Sequence, residues 1–319
     1  MKHGLAVLAL LLAGCGNSGS DDGGANDLLA LCVDSICGEK TALLTIEQAE
    51  NIFFTDDGRL FVSGGTNVFE IKREGDGYAA TPIFSGTGNF GGMTQRGDVL
   101  YVNCFTDSHL YAARLTATPT LAPIHDTGLG IPNGMTAGPS GEIYIVNGPI
   151  PTSGLPDPKI VRLTFDPADP MKVTEQTDWL TLTGNFPNGI ARSGRTLFVA
   201  NSTPILPTLG EVLRIEIGDD GMPESPSSIA TFDSLPDDLS VAGDSLLVAL
   251  YSNGYIAHLT LDGELLAQTD PLSFEFPSQV RVGQPPLFSA DEILVTEKGL
   301  IGDTLSPIGD SLSVFRRTN

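Results

Sequence analysis

The chain has 319 residues, 41% of them apolar and 18% charged, with 37 Gly and 22 Pro scattered along it. That length supports one large domain or two ordinary ones, and the scattered Gly and Pro fit a turn-rich β protein better than a disordered chain. A net charge of −22 excludes a nucleic-acid surface, which needs a basic stripe, and only four His leave little room for an imidazole-based metal cluster.

In chain order, residues 1–14 read as an export signal: Lys2 and His3 form a short polar head and Leu5 to Leu12 an apolar run too short to span a bilayer. Leu12-Ala13-Gly14-Cys15 resembles the bacterial lipoprotein box, which implies lipidation of Cys15 and anchoring to the cell envelope. Gly16 rather than Asp after that cysteine favours the outer over the inner membrane. Residues 15–40 are expected to form a tether, since Gly16 to Asp27 is too rich in Gly, Ser, Asn and Asp to bury apolar surface. Cys32 and Cys37 follow it; an exported setting permits a disulfide between them, and two free thiols remain the alternative. Cys104 falls inside a strand-like run, Val99 to Cys104, as expected of a buried thiol rather than a nucleophile.

From residue 41 to the end, one phrase recurs six times: a turn, a short strand, a Gly-containing turn and an apolar strand. The copies begin at Glu50, Gly91, Asn133, Asn188, Asp237 and Ser278, spaced 41 to 55 residues apart. The third is Asn133-Gly134-Met135-Thr136, then Ser140-Gly141, then Ile143-Tyr144-Ile145-Val146. Further strand-like runs separate the copies, and helical periodicity is almost absent. Four short strands per unit of this length predict an all-β chain, a six-bladed β-propeller over 41–319. The last unit lacks a fourth strand. Thr41 to Ile46, an unassigned apolar run upstream of the first unit, is expected to complete it and close the ring.

Equivalent positions in successive blades lie at similar height around the channel, so the leading residues define a ring of Glu50, Gly91, Asn133, Asn188, Asp237 and Ser278. Four carry carboxylate or amide oxygens, with a formal charge of −2. Hard oxygens, with no nitrogen or sulfur suited to a soft metal, predict a divalent cation, Ca²⁺ before Mg²⁺, held by Glu50, Asn133, Asn188 and Asp237, with waters completing about six to eight ligands. Pro-Asn-Gly at 132–134 and 187–189 is also ordinary turn chemistry; Glu50 in the same column is not. Asp237, with Asp238 as the next carboxylate, is the candidate catalytic residue, as general base or nucleophile beside the cation. Asp56-Asp57-Gly58 and Asp219-Asp220-Gly221 have the pattern of hairpin turns rather than calcium loops.

The phrases Glu50-Asn51, Pro132-Asn133-Gly134-Met135, Pro187-Asn188-Gly189-Ile190 and Asp237-Asp238-Leu239-Ser240 resemble the gluconolactonase/regucalcin (senescence marker protein-like) superfamily, which includes the paraoxonases and diisopropyl fluorophosphatase. The resemblance covers nearly all of the chain after residue 41. It implies a six-bladed propeller with one channel Ca²⁺ on the four residues above, and hydrolysis of a lactone, ester or phosphotriester. Three departures matter. Ile131 stands where gluconolactonase-like members carry an arginine, Gly91 where paraoxonases carry a histidine, and Asn51 and Gly134 where a second calcium would need acids. With Ile131, Met93 and Met135 expected near the cation, a less polar ester or lactone is implied. The expected partner is a small molecule, the chain is expected to act as a monomer, and the membrane enters only through the lipid on Cys15. The competing expectation is a non-catalytic propeller that binds a ligand or protein, its cation structural or absent.

Overall fold

A computed structural model describes residues 31–84, 86–148, 155–182, 186–203, 208–300 and 308–318. The export signal, Cys15 and the Gly-rich stretch after it lie outside the described residues. Those residues contain no helix and form 24 strands in six four-stranded antiparallel sheets. Strand β1 (Gly38–Thr45) comes first but belongs to the last blade. Blade one is β2 (Ala49–Phe54), β3 (Leu60–Gly64), β4 (Asn67–Glu74) and β5 (Gly77–Pro82); blade two is β6 (Phe90–Arg96), β7 (Val99–Cys104), β8 (His109–Arg114) and β9 (Ala122–Asp126). Blade three is β10 (Pro132–Ala137), β11 (Ile143–Asn147), β12 (Lys159–Asp166) and β13 (Asp169–Thr181); blade four is β14 (Phe186–Ser193), β15 (Thr196–Ser202), β16 (Gly210–Glu216) and β17 (Ser227–Phe232). Blade five is β18 (Pro236–Ala242), β19 (Ser245–Leu250), β20 (Tyr255–Thr260) and β21 (Leu265–Gln268); β22 (Pro277–Val282), β23 (Ile293–Glu297) and β24 (Ser311–Arg317) complete the ring.

Each blade runs outward from the axis in sequence order, except the sixth. There β1 pairs antiparallel with β24, Gly38 opposite Arg317 and Thr45 opposite Ser311, so the chain's two ends close the ring as expected. Two-residue turns join the first and second strands of several blades. Gly97 (φ 58°) and Gly243 (φ 62°) take the first position of such turns, where a positive φ matches the twist of the paired strands.

The second strands each contain an apolar run of three or more residues because each is covered on both faces. The core is correspondingly divided into six layers, each between neighbouring blades. Phe61 and Val68 of blade one meet Phe90, Met93 and Val102 of blade two; Tyr144 and Trp179 of blade three meet Leu197 and Ile215 of blade four. Each layer lies off the axis, which leaves the axis itself to polar side chains. The outermost strands, such as β5 and β21, are largely exposed.

The domain begins earlier than residue 41. Leu31, Cys32 and Val33 are buried in the layer between blades five and six, against Phe274 and Phe315. Cys32 and Cys37 form a disulfide just ahead of β1. Residues 31–40 are therefore part of the packed body rather than of the tether, because Leu31, Cys32 and Val33 fill the seam where the ring closes and β1 starts at Gly38, although Ile36 stays exposed. Cys104 is a free buried thiol in the layer between blades one and two, its pKa raised by burial.

Candidate active site at the hub

Every innermost strand departs from regular pairing at its recurring phrase. The ladder shifts register between Ala49 and Asn51, Phe90 and Met93, Pro132 and Met135, Pro187 and Ile190, Pro236 and Leu239, and Pro277 and Gln279. A bulge of this kind suspends the strict alternation of faces and re-aims side chains. Here two consecutive residues reach the axis: Asp237 meets Asn188 of the neighbouring blade, and Asp238 meets Asn51 and Gln279 of two others. Four of the six strands carry proline next to the bulge (Pro132, Pro187, Pro236 and Pro277), a position that needs no N–H donor. Neighbouring blades cap the displaced carbonyls. Ser63 Oγ donates to Gly91 O (2.8 Å), Asn103 Nδ2 to Asn133 O (2.7 Å) and Thr296 Oγ1 to Glu50 O (2.9 Å).

The result is two stacked rings. The deeper one consists of Asn51, Gly92, Gly134, Gly189, Asp238 and Gln279. Asp238 crosses the axis as a plug: Asn51 Nδ2 (2.7 Å) and Gln279 Nε2 (2.8 Å) donate to its Oδ2, and the Leu239 N–H donates to its Oδ1 (2.7 Å). Three glycines make room. A Cβ on Gly189 would overlap Asp238 Oδ1 and lie 2.5 Å from its Cα, one on Gly92 would lie 2.5 Å from Asn133 O, and one on Gly134 2.7 Å from Asn188 O. Burial raises the Asp238 pKa, opposed by the Leu239 N–H and by Arg281. Arg281, two residues beyond Gln279, stacks on Phe53 with its guanidinium carbon 5.4 Å from the ring centroid and is the nearest counter-charge.

The ring at the rim contains the expected ligands. Glu50 and Asp237 are buried, whereas Asn133 and Asn188 are half-buried. Asn188 Nδ2 donates to Asp237 Oδ1, and Ser278 also hydrogen-bonds Asp237. Asn133 occupies the equivalent bulge on β10, its Cβ 3.3 Å from where a Cβ on Gly148 would lie. Burial and then the Glu50 charge push the Asp237 pKa up, opposed by Lys298, Ser278 and Asn188.

Lys298 is the residue the sequence analysis missed. Its Nζ pairs directly with Glu50 Oε2, and its side chain is only 14% exposed. Burial lowers its pKa, but Glu50 and Asp237 outweigh that and leave it above the ordinary lysine value. Phe105 takes the space over Gly91, where a Cβ would lie 2.5 Å from Phe105 Cε1, and the Lys298 ammonium stands 5.9 Å from that ring's centroid. The available signal was positional: Phe105, Tyr251 and Lys298 each directly follow a second strand, at the same station in blades two, five and six.

Two expected neighbours lie elsewhere. Met93 and Met135 pair with Val102 and Ile145 and point into the layers between blades, because they follow the bulge on the opposite face. Ile131 does stand at the rim, its Cγ2 2.9 Å from a Cβ position on Gly148. The three histidines among the described residues stay away from the hub: His109 contacts Asp107, His125 Gln176 and His258 Ser245.

Among the described residues no three acidic, histidine or cysteine side chains gather into a metal cluster. The rim ring offers two carboxylates and two amides. An amide can turn its oxygen or its nitrogen inward, so this set fits a hard cation once Asn188 presents Oδ1 and Glu50 is free of Lys298.

Neither a family model nor a curated protein sequence matches the chain. Solved structures do. A gluconolactonase from Xanthomonas campestris superposes with a TM-score of 0.66 at 18% identity, covering 88% of this chain and 90% of that one. Regucalcin from Agrobacterium tumefaciens, described as a calcium-binding protein, gives 0.61 at 16% identity, covering 88% and 93%. A virginiamycin B lyase from Staphylococcus aureus gives 0.55 at 14% identity, covering 88% and 99%. The likeness is one of fold, and the expected resemblance to gluconolactonase and regucalcin is present at that level. That a lyase shares it shows why the site, not the fold, must decide the chemistry.

Proposed function

We propose that the protein is a metal-dependent hydrolase of a lactone, ester or phosphotriester, with a hard divalent cation, Ca²⁺ by donor chemistry, held at Glu50, Asn133, Asn188 and Asp237. The observation that carries this reading is the recurring bulge: it falls at Glu50, Asn133, Asn188 and Asp237 in four blades, with Glu50 and Asp237 buried and Asn188 hydrogen-bonded to Asp237 across two of them. When bound, the cation supplies Lewis-acid polarisation of a carbonyl or phosphoryl oxygen.

The chain's own groups do the rest. Asn188 and Ser278 orient the Asp237 carboxylate, which takes the proton of the attacking water. Asp238, hydrogen-bonded three ways, closes the channel beneath and supports Asp237 without meeting substrate. Phe105 and Ile131 give the rim an apolar wall suited to a weakly polar substrate. In this reading the protein acts as a monomer on the bacterial envelope, outer membrane before inner, held by lipid on Cys15; Cys15→Ala releases it into the soluble fraction.

The test is turnover of lactones, aryl esters and phosphotriesters with and without chelator. We expect activity that chelator removes and Ca²⁺ restores, and that Asp237→Asn lowers by about 100-fold or more. Turnover indifferent to chelator sinks the metal assignment. A non-catalytic binding propeller is the second reading, favoured by one observation: Lys298 already neutralises Glu50.

A further inference from the structure

The rim ring holds a cation of the chain's own. Lys298 follows β23, and its backbone is fixed on both sides: its N–H donates to Phe276 O (3.1 Å), and Tyr251 Oη donates to the next residue's carbonyl, Gly299 O (2.8 Å). Only the four-carbon arm is left to move, and it ends on Glu50 Oε2. Counted from the first residue of the recurring apolar run in each second strand (Leu100 in β7), the equivalent position in the other blades holds Gly65, Phe105, Gly148, Ser202 and Tyr251, so the charge is peculiar to blade six. Lys298 also lies in the field of Asp237, so one ammonium serves both rim carboxylates.

We propose that Lys298 is a tethered competitor for the divalent cation. The ammonium and the metal ion need the same Glu50 carboxylate, and the ion binds as Lys298 withdraws from it. The inference rests on the metal reading above and deepens it. With Lys298 in place the charge at the rim falls from −2 to −1, and a divalent ion entering beside it meets a like charge in a buried site. A tethered group acts at an effective concentration of about millimolar or more, so the ion must work against it. The consequence is a site that fills in the range typical of extracellular calcium modules, roughly 10⁻⁴ to 10⁻³ M, and is graded by the surrounding cation concentration rather than permanently loaded.

Calorimetric titration of Ca²⁺ into the full chain tests this, with wild type, Lys298→Met, Lys298→Arg and Glu50→Gln compared. The expected result is a Kd at least tenfold lower in Lys298→Met, a Kd near wild type in Lys298→Arg, and lost binding in Glu50→Gln. Equal affinity in wild type and Lys298→Met overturns the competition while leaving the metal reading standing. Absence of binding in wild type and both lysine variants overturns the metal reading, and the competition with it. Should Lys298→Met fail to fold, Lys298→Gln takes its place. Wild type alone gives a second readout: acetylation of Lys298, followed by mass spectrometry, should rise with added Ca²⁺ as the arm is released, and no rise at a saturating concentration overturns the proposal.

Discussion

The two rings at the hub are built from consecutive residues of the same six strands, yet they do opposite things. The deeper ring is small and closed on itself: three glycines, and a carboxylate whose oxygens are taken up by Asn51, Gln279 and Leu239, with Asn51 Oδ1 left without a partner among the described residues. The rim ring is large and charged: two buried carboxylates, two half-buried amides and an ammonium borrowed from a loop. Asp237 and Asp238 are neighbours in sequence with the same side chain, and only their partners differ. The lesson is that a carboxylate's role at an axis is set by how many donors converge on it. Three donors make a plug, whereas a carboxylate with two donors, Asn188 and Ser278, remains available for chemistry.

Substitutions can break or sharpen that contrast. The largest effect is expected for Asp238→Ala, which strands two amide donors and a backbone N–H in a buried channel. A loss of roughly 3 kcal/mol or more in unfolding free energy follows, measured by denaturant titration. Asp237→Asn should do the reverse, removing turnover while changing stability by less than about 1 kcal/mol, since Asn still pairs with Asn188. If the two variants instead lose stability equally, the rings are not distinct. Gly189→Ala pushes a methyl group into Asp238, so about 1–3 kcal/mol of overpacking cost is expected, again by denaturant titration.

The smallest effect lies away from the axis and serves as a control. His258 is buried on β20 against Ser245, and burial lowers its pKa despite Asp244. A depressed folded-state value means that the neutral imidazole is favoured in the native protein. Its contribution is therefore present above the unfolded value of about 6.5 and lost as pH falls below it. Melting curves of His258→Gln should show a shallower acid-side decline than wild type, with no change in cation response.

Much of the architecture was legible before any coordinates. The spacing of Glu50, Gly91, Asn133, Asn188, Asp237 and Ser278 marks six blades because each phrase carries its own turn glycine and apolar strand. The missing fourth strand of the last unit pointed to Thr41–Ile46, and β1 fills that place. The ring closure and Cys104's burial also followed from local pattern. The tether boundary did not. Leu31, Cys32 and Val33 are apolar, but a run this short beside a polar stretch has no partner in the sequence until the seam between blades five and six is available to bury it. Met93 and Met135 were set beside the cation because a bulge cannot be seen in a sequence, and the bulge decides which way the next side chain points.

The sequence by itself determined the repeat, hence the blade count, the closure and the column of leading residues, oxygen-bearing in every phrase but the one at Gly91; these depend on local preferences that recur every 41 to 55 residues. Only the tertiary structure decided which residues share the axis with that column. Lys298 reaches Glu50 across 248 positions of chain, and Asp238 gathers donors from blades one and six. No local preference encodes such meetings, because curling six sheets into a circle is what brings distant residues to the same few ångströms of space.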